Sequence, residues 1–473
     1  MIKYISRLLF VMLMCIYASN IFCQTLEEAK ALYTKGKYAE ALPAFENIIK
    51  TTPNNASYNQ WYGSCLLETG KINESEKYLV FAASKNVKES FCSLGKLYFI
   101  QYRFKESEEA YEKYLVFLRK EKQTKAIETF ENLKSQSKDA ARMLSNCEDV
   151  QIIDSVIVNK KVFLTVYNIL SEESGTVLES NGLLVYENQL QDKRYYAKPD
   201  AKKKYRLYSQ TKLMNKWSEE KILELPVDTI ANDNYPFVLS DGITIYYAST
   251  GQGSIGGYDL FVTRYNSSSD TYLKPEQLGM PFNSPYNDYM LAIDEYNGVG
   301  YFATDRFQPE GKVIVYTFIP NNEKITIESR DTEYLINRAK ITSTKQSQKR
   351  GMDYAPLLKK IKSDQQKYQE EVAREFEFII NDDVIYYKSD DFTSHAAKQL
   401  FIQYRETQKQ LILLNNQLDE KRKSYIEGNA AKKDSLAKLI LSDERKLEDL
   451  TIQYEEMAVK IRNTEIKYLK NKH

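Results

Sequence analysis

Leu278-Gly279-Met280-Pro281-Phe282-Asn283-Ser284-Pro285-Tyr286-Asn287-Asp288 opens the stretch that decides the fold. An apolar run through Ile293, the pair Asn297-Gly298 and the run Val299-Gly300-Tyr301-Phe302-Ala303-Thr304-Asp305-Arg306 complete it. That order predicts a strand, a tight turn and a returning strand, because Asn-Gly accepts the positive φ of a hairpin turn. The same order stands upstream. Asp233-Asn234-Tyr235-Pro236 leads into Phe237-Val238-Leu239, Asp241-Gly242 turns, and Ile243 to Ser249 returns before Gly256-Gly257-Tyr258-Asp259-Leu260-Phe261-Val262. A weaker copy precedes both: Val177-Leu178, Asn181-Gly182, Leu183 to Tyr186, then Tyr205-Arg206-Leu207-Tyr208. The turn glycines Gly182, Gly242 and Gly298 are 60 and 56 residues apart. Each repeat is long enough for four short strands.

These repeats resemble the TolB-type, WD40-like β-propeller repeat, which runs Asn-Ser-x-x-Asn-Asp, strand, Asp-Gly, strand ending in Ser/Thr-x-Arg, then Gly-Gly-Tyr-Asp-Leu/Ile-Tyr/Phe. Residues 283–306 and 241–262 match that pattern, and residues 174–225 match it poorly. The first copy carries Arg206 where the second has Asp259, and Trp217 where the second has Leu273. Propellers have about four to eight blades, so three copies leave the ring short. Strands from Asp149 to Tyr167 and from Phe376 to Tyr387 are the candidates to complete it. The resemblance therefore implies a β-propeller-like domain over residues 149–327, completed by residues 376–388.

Residues 25–118 carry a different repeat. Ala29, Leu32, Tyr33, Gly36, Tyr38, Ala41, Phe45, Ile48 and Pro53 fall where two packed helices need small and large apolar groups. Gly63, Leu66, Gly70, Ile72, Ser75, Leu79 and Ala82 repeat those offsets, and Leu94, Gly95, Tyr98, Phe104, Ser107, Tyr111 and Tyr114 follow. This resembles the tetratricopeptide repeat, an α-solenoid whose concave face commonly holds a peptide or a partner segment. A looser fourth helical pair from Thr124 to Cys147 is expected to cap the stack. The domain spans residues 24–148.

The N-terminus reads as an export leader. Lys3 and Arg7 precede an apolar run from Leu8 to Phe22, too short for a membrane span. Residues 1–23 form the expected signal peptide, leaving Gln24 first. Asn20-Ile21-Phe22 before Cys23 lacks the small residues of a lipid-anchoring signal. Removing Lys3 and Arg7 from the 66 basic residues leaves 64 against 65 acidic ones, a balance that carries no bulk signal for nucleic acid. The basic run Lys202 to Lys204 reads as a solvated loop, with a polyanion contact as its alternative. Cys65, Cys92 and Cys147 are too widely spaced for a zinc pattern. A Cys65–Cys92 bridge and simple burial are the two readings of that pair.

Residues 328–375 read as a polar, basic linker and a helix, the helix from Tyr354 to Arg374. Phe376 to Ile380, Asn381-Asp382-Asp383 and Val384 to Tyr387 form a short hairpin. Over residues 393–473, Ala397, Tyr404, Leu411, Leu418 and Tyr425 recur every seven, with Leu400 and Leu414 between them. Ile440, Leu447, Tyr454, Ile461 and Tyr468 repeat the design, joined by Leu436, Leu450 and Met457. An antiparallel helical hairpin of coiled-coil type, turning at Gly428-Asn429, is predicted. Thr407, Lys421, Asp443 and Thr464 interrupt its seam, which makes it a place for docking or self-association.

The fold class is thus multidomain α and β: α-solenoid, β-propeller-like domain, helical hairpin. Chemistry is sparse in the sequence. His395 and His473 have no metal-ligating neighbours, so no catalytic, cofactor-binding or metal residues are assigned. Gly251-Gln252-Gly253-Ser254-Ile255-Gly256 spells a dinucleotide string but sits between predicted strands. Asp241, Asp259, Asp288 and Asp305 recur and invite a calcium or glycosidase reading; bracing of tight turns through backbone N–H groups accounts for them better. The domain order resembles cell-envelope proteins of the Bacteroidetes type, some of which add a peptidoglycan-binding OmpA-like domain that this chain lacks. The resemblance implies a non-enzymatic scaffold or adaptor, exported to the periplasm or outer membrane. It would bind envelope or outer-membrane proteins through the tetratricopeptide groove and propeller face, with no transmembrane span. The alternatives are a propeller that binds or processes a glycan or peptide, and an accessory component of a secretion or outer-membrane assembly.

Overall fold

The computed structural model describes residues 25–180, 183–214, 216–226, 231–251, 253–372, 376–381 and 384–472. The expected leader and the turn glycine Gly182 lie outside them. Residues up to Ile361 form one unit and those from Lys362 form another.

The first unit begins with helices α1 (Leu26–Thr34), α2 (Tyr38–Thr51), α3 (Ala56–Glu68), α4 (Ile72–Ser84), α5 (Lys88–Ile100), α6 (Phe104–Lys120) and α7 (Thr124–Ser145). Thr25 opens α1 with a reciprocal capping box to Glu28, and Asn55 caps α3 through Tyr58 N, so the starts are written in the sequence. Neighbouring helices approach closely where side chains are small: a Cβ at Gly95 would sit 2.4 Å from the Tyr111 ring. The pair expected over residues 124–147 is instead the single helix α7. Nothing in that stretch is glycine or proline, so no residue breaks the run. It packs on α6 through Tyr114 and Phe130, with ring centroids 4.6 Å apart, and through a Ser107–Ser137 hydroxyl contact of 3.0 Å.

Three antiparallel sheets follow, none closed into a barrel. The first runs β2 (Thr176–Ser180), β3 (Leu183–Glu187), β4 (Lys193–Pro199) and β5 (Tyr205–Leu213), with the short β6 (Lys216–Trp217) and β7 (Lys221–Ile222) on β5. The second runs β8 (Asp233–Val238), β9 (Thr244–Ser249) and β10 (Asp259–Asn266), with β11 (Thr271–Tyr272) and β12 (Glu276–Gln277) on β10. The third runs β13 (Asp288–Asp294), β14 (Val299–Thr304) and β15 (Lys312–Ile319). Its outer strand is β1 (Gln151–Asn159), from before the first sheet, with Val156 opposite Val315. Of the extra strands expected between Asp149 and Tyr167, β1 is the one that forms; from Phe163 the chain makes 3-10 turns, Phe163–Ile169 and Glu172–Ser174. Tyr167, Val177, Tyr186, Phe237, Tyr289 and Val315 belong to one core drawn from those turns and all three sheets.

Of residues 328–375, expected as a linker and a helix, the helix forms over Ala355–Val372, and the stretch before it is packed helix rather than linker. Helices α8 (Thr332–Lys340) and α9 (Thr344–Ser347) cover the sheets, and α10 spans Ala355–Val372. Leu335 and Ala339 share a core with Met280 and Tyr102. Arg338 Nη2 donates to Asp149 Oδ1 at 2.6 Å, and Ser347 Oγ accepts Ile152 N at 2.8 Å. The segment reads as basic because its outward positions, Lys345, Lys349 and Arg350, are exposed while its apolar face is buried.

The second unit holds the hairpin β16 (Phe378–Asn381) and β17 (Val384–Tyr386), then α11 (His395–Glu427) and α12 (Ala430–Lys472). The hairpin strands pair with each other in a separate two-stranded sheet, so they complete no sheet of the first unit. Phe378, Ile380 and Tyr386 instead bury against Phe392, Phe401 and Ile461. Glu465, fully buried, accepts Tyr386 Oη at 2.8 Å and Thr393 N at 2.8 Å, tying the hairpin to the start of α11. The two long helices run antiparallel on either side of Gly428, with Tyr404 and Tyr454 stacked 4.2 Å apart. Two interruptions of the expected seam answer each other, since Lys421 pairs with Asp443. Tyr425 and Tyr468, expected in the seam, are exposed. No helix among the described residues is long and apolar enough to cross a membrane.

Candidate functional site

Of the recurring polar residues of the repeat, Asp259, Asn283 and Asp288 are fully buried in the sheets, while Asp305 is half-buried and Asp241 exposed. Asp288 Oδ2 accepts Ser284 N at 2.7 Å, and Asn283 exchanges two hydrogen bonds with the Leu260 backbone at 2.7 and 3.0 Å. Asp305 accepts Asn287 N at 2.8 Å and Tyr289 Oη at 2.5 Å. Asp259 accepts Ile255 N and Gly256 N at 3.0 and 3.1 Å; Asp241 accepts Ile243 N and Thr244 N at 2.9 and 2.8 Å. All four aspartates therefore hold backbone N–H groups at turns, bracing the chain there. Gly256 is required by the same packing: a Cβ there would lie 1.9 Å from Tyr286 O.

Arg306 is the centre of this network. It is fully buried, and its Nη2 donates to Asp288 Oδ1 at 2.7 Å and to Phe282 O at 2.8 Å. Its Nη1 donates to Pro281 O at 2.7 Å, and Nε to Thr304 Oγ1 at 3.2 Å. Tyr102, from the turn between α5 and α6, is also fully buried; its ring stacks on Phe307 with centroids 6.3 Å apart. Its hydroxyl lies close to Ser284 without a well-aligned hydrogen bond. Helical array and sheets thus share a core around one tyrosine and one arginine.

Burial pushes the Asp288 carboxyl up to about 6, against the pull of Arg306, Thr304 and Ser284. Burial, then the neighbouring Asp288, pushes Asp259 well above the usual carboxylate range. Unfolded, each would titrate near about 4. The folded state therefore holds more protons between pH 4 and 6, so these groups favour folding at the acid end and oppose it as pH rises through about 6. Asp259→Asn is expected to flatten that decline relative to wild type, by up to about 1.4 kcal/mol per pH unit for each carboxyl involved. Urea unfolding of both proteins from pH 4 to 7 checks it.

Arg206 occupies its odd position for a visible reason. Its Nη1 donates to Asp233 Oδ2 of the second sheet at 3.1 Å, whereas Asp259 at the equivalent place faces Asp288 of the third. The departure from the repeat pattern replaces two facing carboxyls with an ion pair. Trp217 lies under the Arg194 guanidinium, 4.2 Å from its ring centroid.

Other sequence candidates scatter. The Gly251 to Gly256 string lies between β9 and β10 and opens no helix. Cys65, Cys92 and Cys147 are free thiols, pushed up by burial to about 12, 11 and 12. Lys202 and Lys203 sit at the exposed turn between β4 and β5, where Asp200 Oδ1 accepts Lys202 N at 2.8 Å and Lys204 N at 2.9 Å. His395 begins α11, and His473 lies outside the described residues. Among the described residues no group of three His, Cys, Asp or Glu side chains is arranged to hold a metal ion.

Three concavities border the sheets. A groove of about 870 Å³ lies between α7 and the loop after β9, bridged where Gln136 Nε2 donates to Ser254 O at 3.1 Å. A pocket of about 220 Å³ is walled by Lys161, Phe163, Glu179, Tyr205 and Tyr235, the last with φ +54°. A cleft of about 460 Å³ opens between the first and second sheets. Sequence reasoning missed all three, because their walls come from segments far apart in the chain: a helix and loops for the first, strands and turns of more than one sheet for the others.

No protein-family model and no curated protein matches this chain. Among solved structures it has a likeness to the α-L-arabinofuranosidase from Lactobacillus brevis, at 14% identity over 33% of this chain and 55% of that one, with a TM-score of 0.21. So weak a likeness carries neither fold nor activity to this chain.

Proposed function

We propose that this chain is a non-enzymatic scaffold of a bacterial cell envelope, exported and binding partner proteins through its helical array and its sheet region. The observation that carries this reading is where the recurring polar residues go: Asp288, Asp259, Asn283 and Arg306 are fully buried and bonded to backbone or to one another. What the chain offers outward is an array fixed to its sheets. Within it, across α1, α3 and α5, a row braces the helices from inside: Gln60 Nε2 donates to Tyr33 Oη at 3.0 Å and Ser64 meets Ser93 at 2.8 Å, with Gln60 and Ser64 buried. Lys30 lies over the Trp61 ring beside it. Half-exposed aromatic rings such as Trp61, beside this row, suit a partner's segment.

The finer architecture belongs to the same proposal. Close helix crossings at Gly63 and Gly95 support tetratricopeptide units, and three meanders around one core support TolB-like blades. The first strand completing the last sheet is how a propeller ring is latched; three blades are fewer than the usual number of about four to eight. The paired long helices support a coiled-coil-type hairpin and a place for self-association. The test is an activity screen of the purified chain run beside its isolation from envelope fractions. A stoichiometric protein partner with no turnover is the expected result; turnover by the purified chain contradicts it.

A further inference from the structure

We propose that the cleft between the first and second sheets is a carbohydrate site for one or two sugar rings of neutral charge. Its volume of about 460 Å³ falls in the range of small-ligand sites, roughly 300–1,000 Å³. Four hydroxyl-bearing residues line it: Tyr195 on β4, Ser209 and Thr211 on β5, and Tyr272 on β11. The neighbouring hydroxyls are engaged, as in Tyr265 Oη donating to Asp270 Oδ1 at 2.5 Å. The side-chain hydroxyls of those four have no hydrogen-bond partner among the described residues. Tyr195 is buried and Tyr272 half-buried, and burial pushes both phenols up, so they stay protonated and able to donate. These hydroxyls open on solvent rather than being sealed in, so a ligand's hydroxyls can take the place of water on them. A ligand that both donates and accepts, ring after ring, answers that row.

The rest of the lining fits the same chemistry. Tyr265 and Tyr272 face each other with centroids 5.4 Å apart, offering ring surface for the apolar face of a sugar. Charges of both signs surround the mouth: Lys193 and Lys221 stand with Glu224 and Asp270, and Lys221 reaches Asp270 at 3.7 Å. That balance disfavours a polyanion. A peptide adding as a strand needs a free sheet edge, and here β6 and β7 occupy β5 while β11 and β12 occupy β10. The walls are side chains, so recognition runs through hydroxyls and rings.

The proposal goes beyond the scaffold reading, and either can hold without the other. The test applies the full chain to an array of neutral hexose, pentose, N-acetylhexosamine and uronic-acid oligosaccharides, with a peptide library in parallel. Calorimetry then titrates the best-retained oligosaccharide. Saturable binding of a neutral oligosaccharide is expected, weakened about tenfold by Tyr272→Ala and several-fold by Ser209→Ala with Thr211→Val. Tyr296→Ala, an exposed tyrosine outside the cleft, should leave it unchanged. If Tyr272→Ala melts early, Tyr272→Phe and the hydroxyl pair carry the comparison. No retained oligosaccharide at millimolar concentration overturns the proposal. So does salt-sensitive binding of uronic acids alone, retention of peptides alone, or binding indifferent to the cleft variants.

Discussion

Arg306→Leu is expected to lower the unfolding free energy by about 3–5 kcal/mol, because it strands the buried Asp288 beside Asp259 without its cation. It also removes the donors to Pro281 O and Phe282 O, and buried carbonyls left unmade add to the loss. Lysine does not rescue this, since one ammonium cannot reproduce a fork that spans Asp288, Phe282, Pro281 and Thr304. Arg306→Leu combined with Asp288→Asn should cost less than the sum of the two single changes, since the orphaned charge is then gone. Urea unfolding at pH 7 measures all three. A loss below about 1 kcal/mol, the range of surface pairs, would place the arginine outside the load of the fold.

Tyr102→Ala carries the second large effect, about 3–5 kcal/mol, the range for deleting a fully buried aromatic ring. Tyr102 stands where Gly36 and Gly70 end the preceding helix turns, with φ +68° against their +73° and +82°. A tyrosine there carries backbone strain that glycine would avoid, and its ring fills the seam between helices and sheets. Tyr102→Phe makes the opposite prediction. Its hydroxyl has no well-aligned partner, so losing it should be neutral or slightly stabilising, within about 1 kcal/mol. Limited proteolysis provides the second readout: Tyr102→Ala should expose the α5–α6 turn to cleavage, and Tyr102→Phe should not.

Turn chemistry made the sheets legible. Asp241-Gly242 and Asn297-Gly298 demand positive φ at one position each, which Gly242 and Gly298 supply at +69° and +66°, and short apolar runs on either side fix the strands. Helix crossings were legible for a similar reason, since Gly63 and Gly95 mark where a side chain cannot fit. The rest depended on contacts that no local pattern encodes. Arg306 reads as one more polar strand end until Pro281, Phe282 and Asp288 arrive around it. Tyr102 reads as a loop residue, and nothing in its neighbours says that the ring packs against the sheet region. Residues 329–351 looked like a linker because their basic side chains alternate with a buried face too short for helical periodicity to declare. The cleft was illegible for the plainest reason: Tyr195, Ser209, Thr211 and Tyr272 lie on three strands of two sheets, and each alone is an ordinary strand residue.

The aromatic content also changes meaning once placed. Phe163, Tyr235 and Tyr289 meet with centroids 5.6 to 5.8 Å apart, and Lys160 lies over Tyr289. The abundance of tyrosine, 37 residues, is therefore partly a core property: Tyr167, Tyr247 and Tyr301 are among the largest fully buried side chains.

Crosslinked-peptide mapping of the full chain in intact cells of its source tests most directly whether function lies on outward surfaces held by a structural polar core. Lys30 and Lys96, on α1 and α5, are exposed enough to react. The account predicts that crosslinks from both converge on the same partner protein. Crosslinks that stay within the chain, or scatter over unrelated proteins while Lys30 and Lys96 are fully modified, would contradict it.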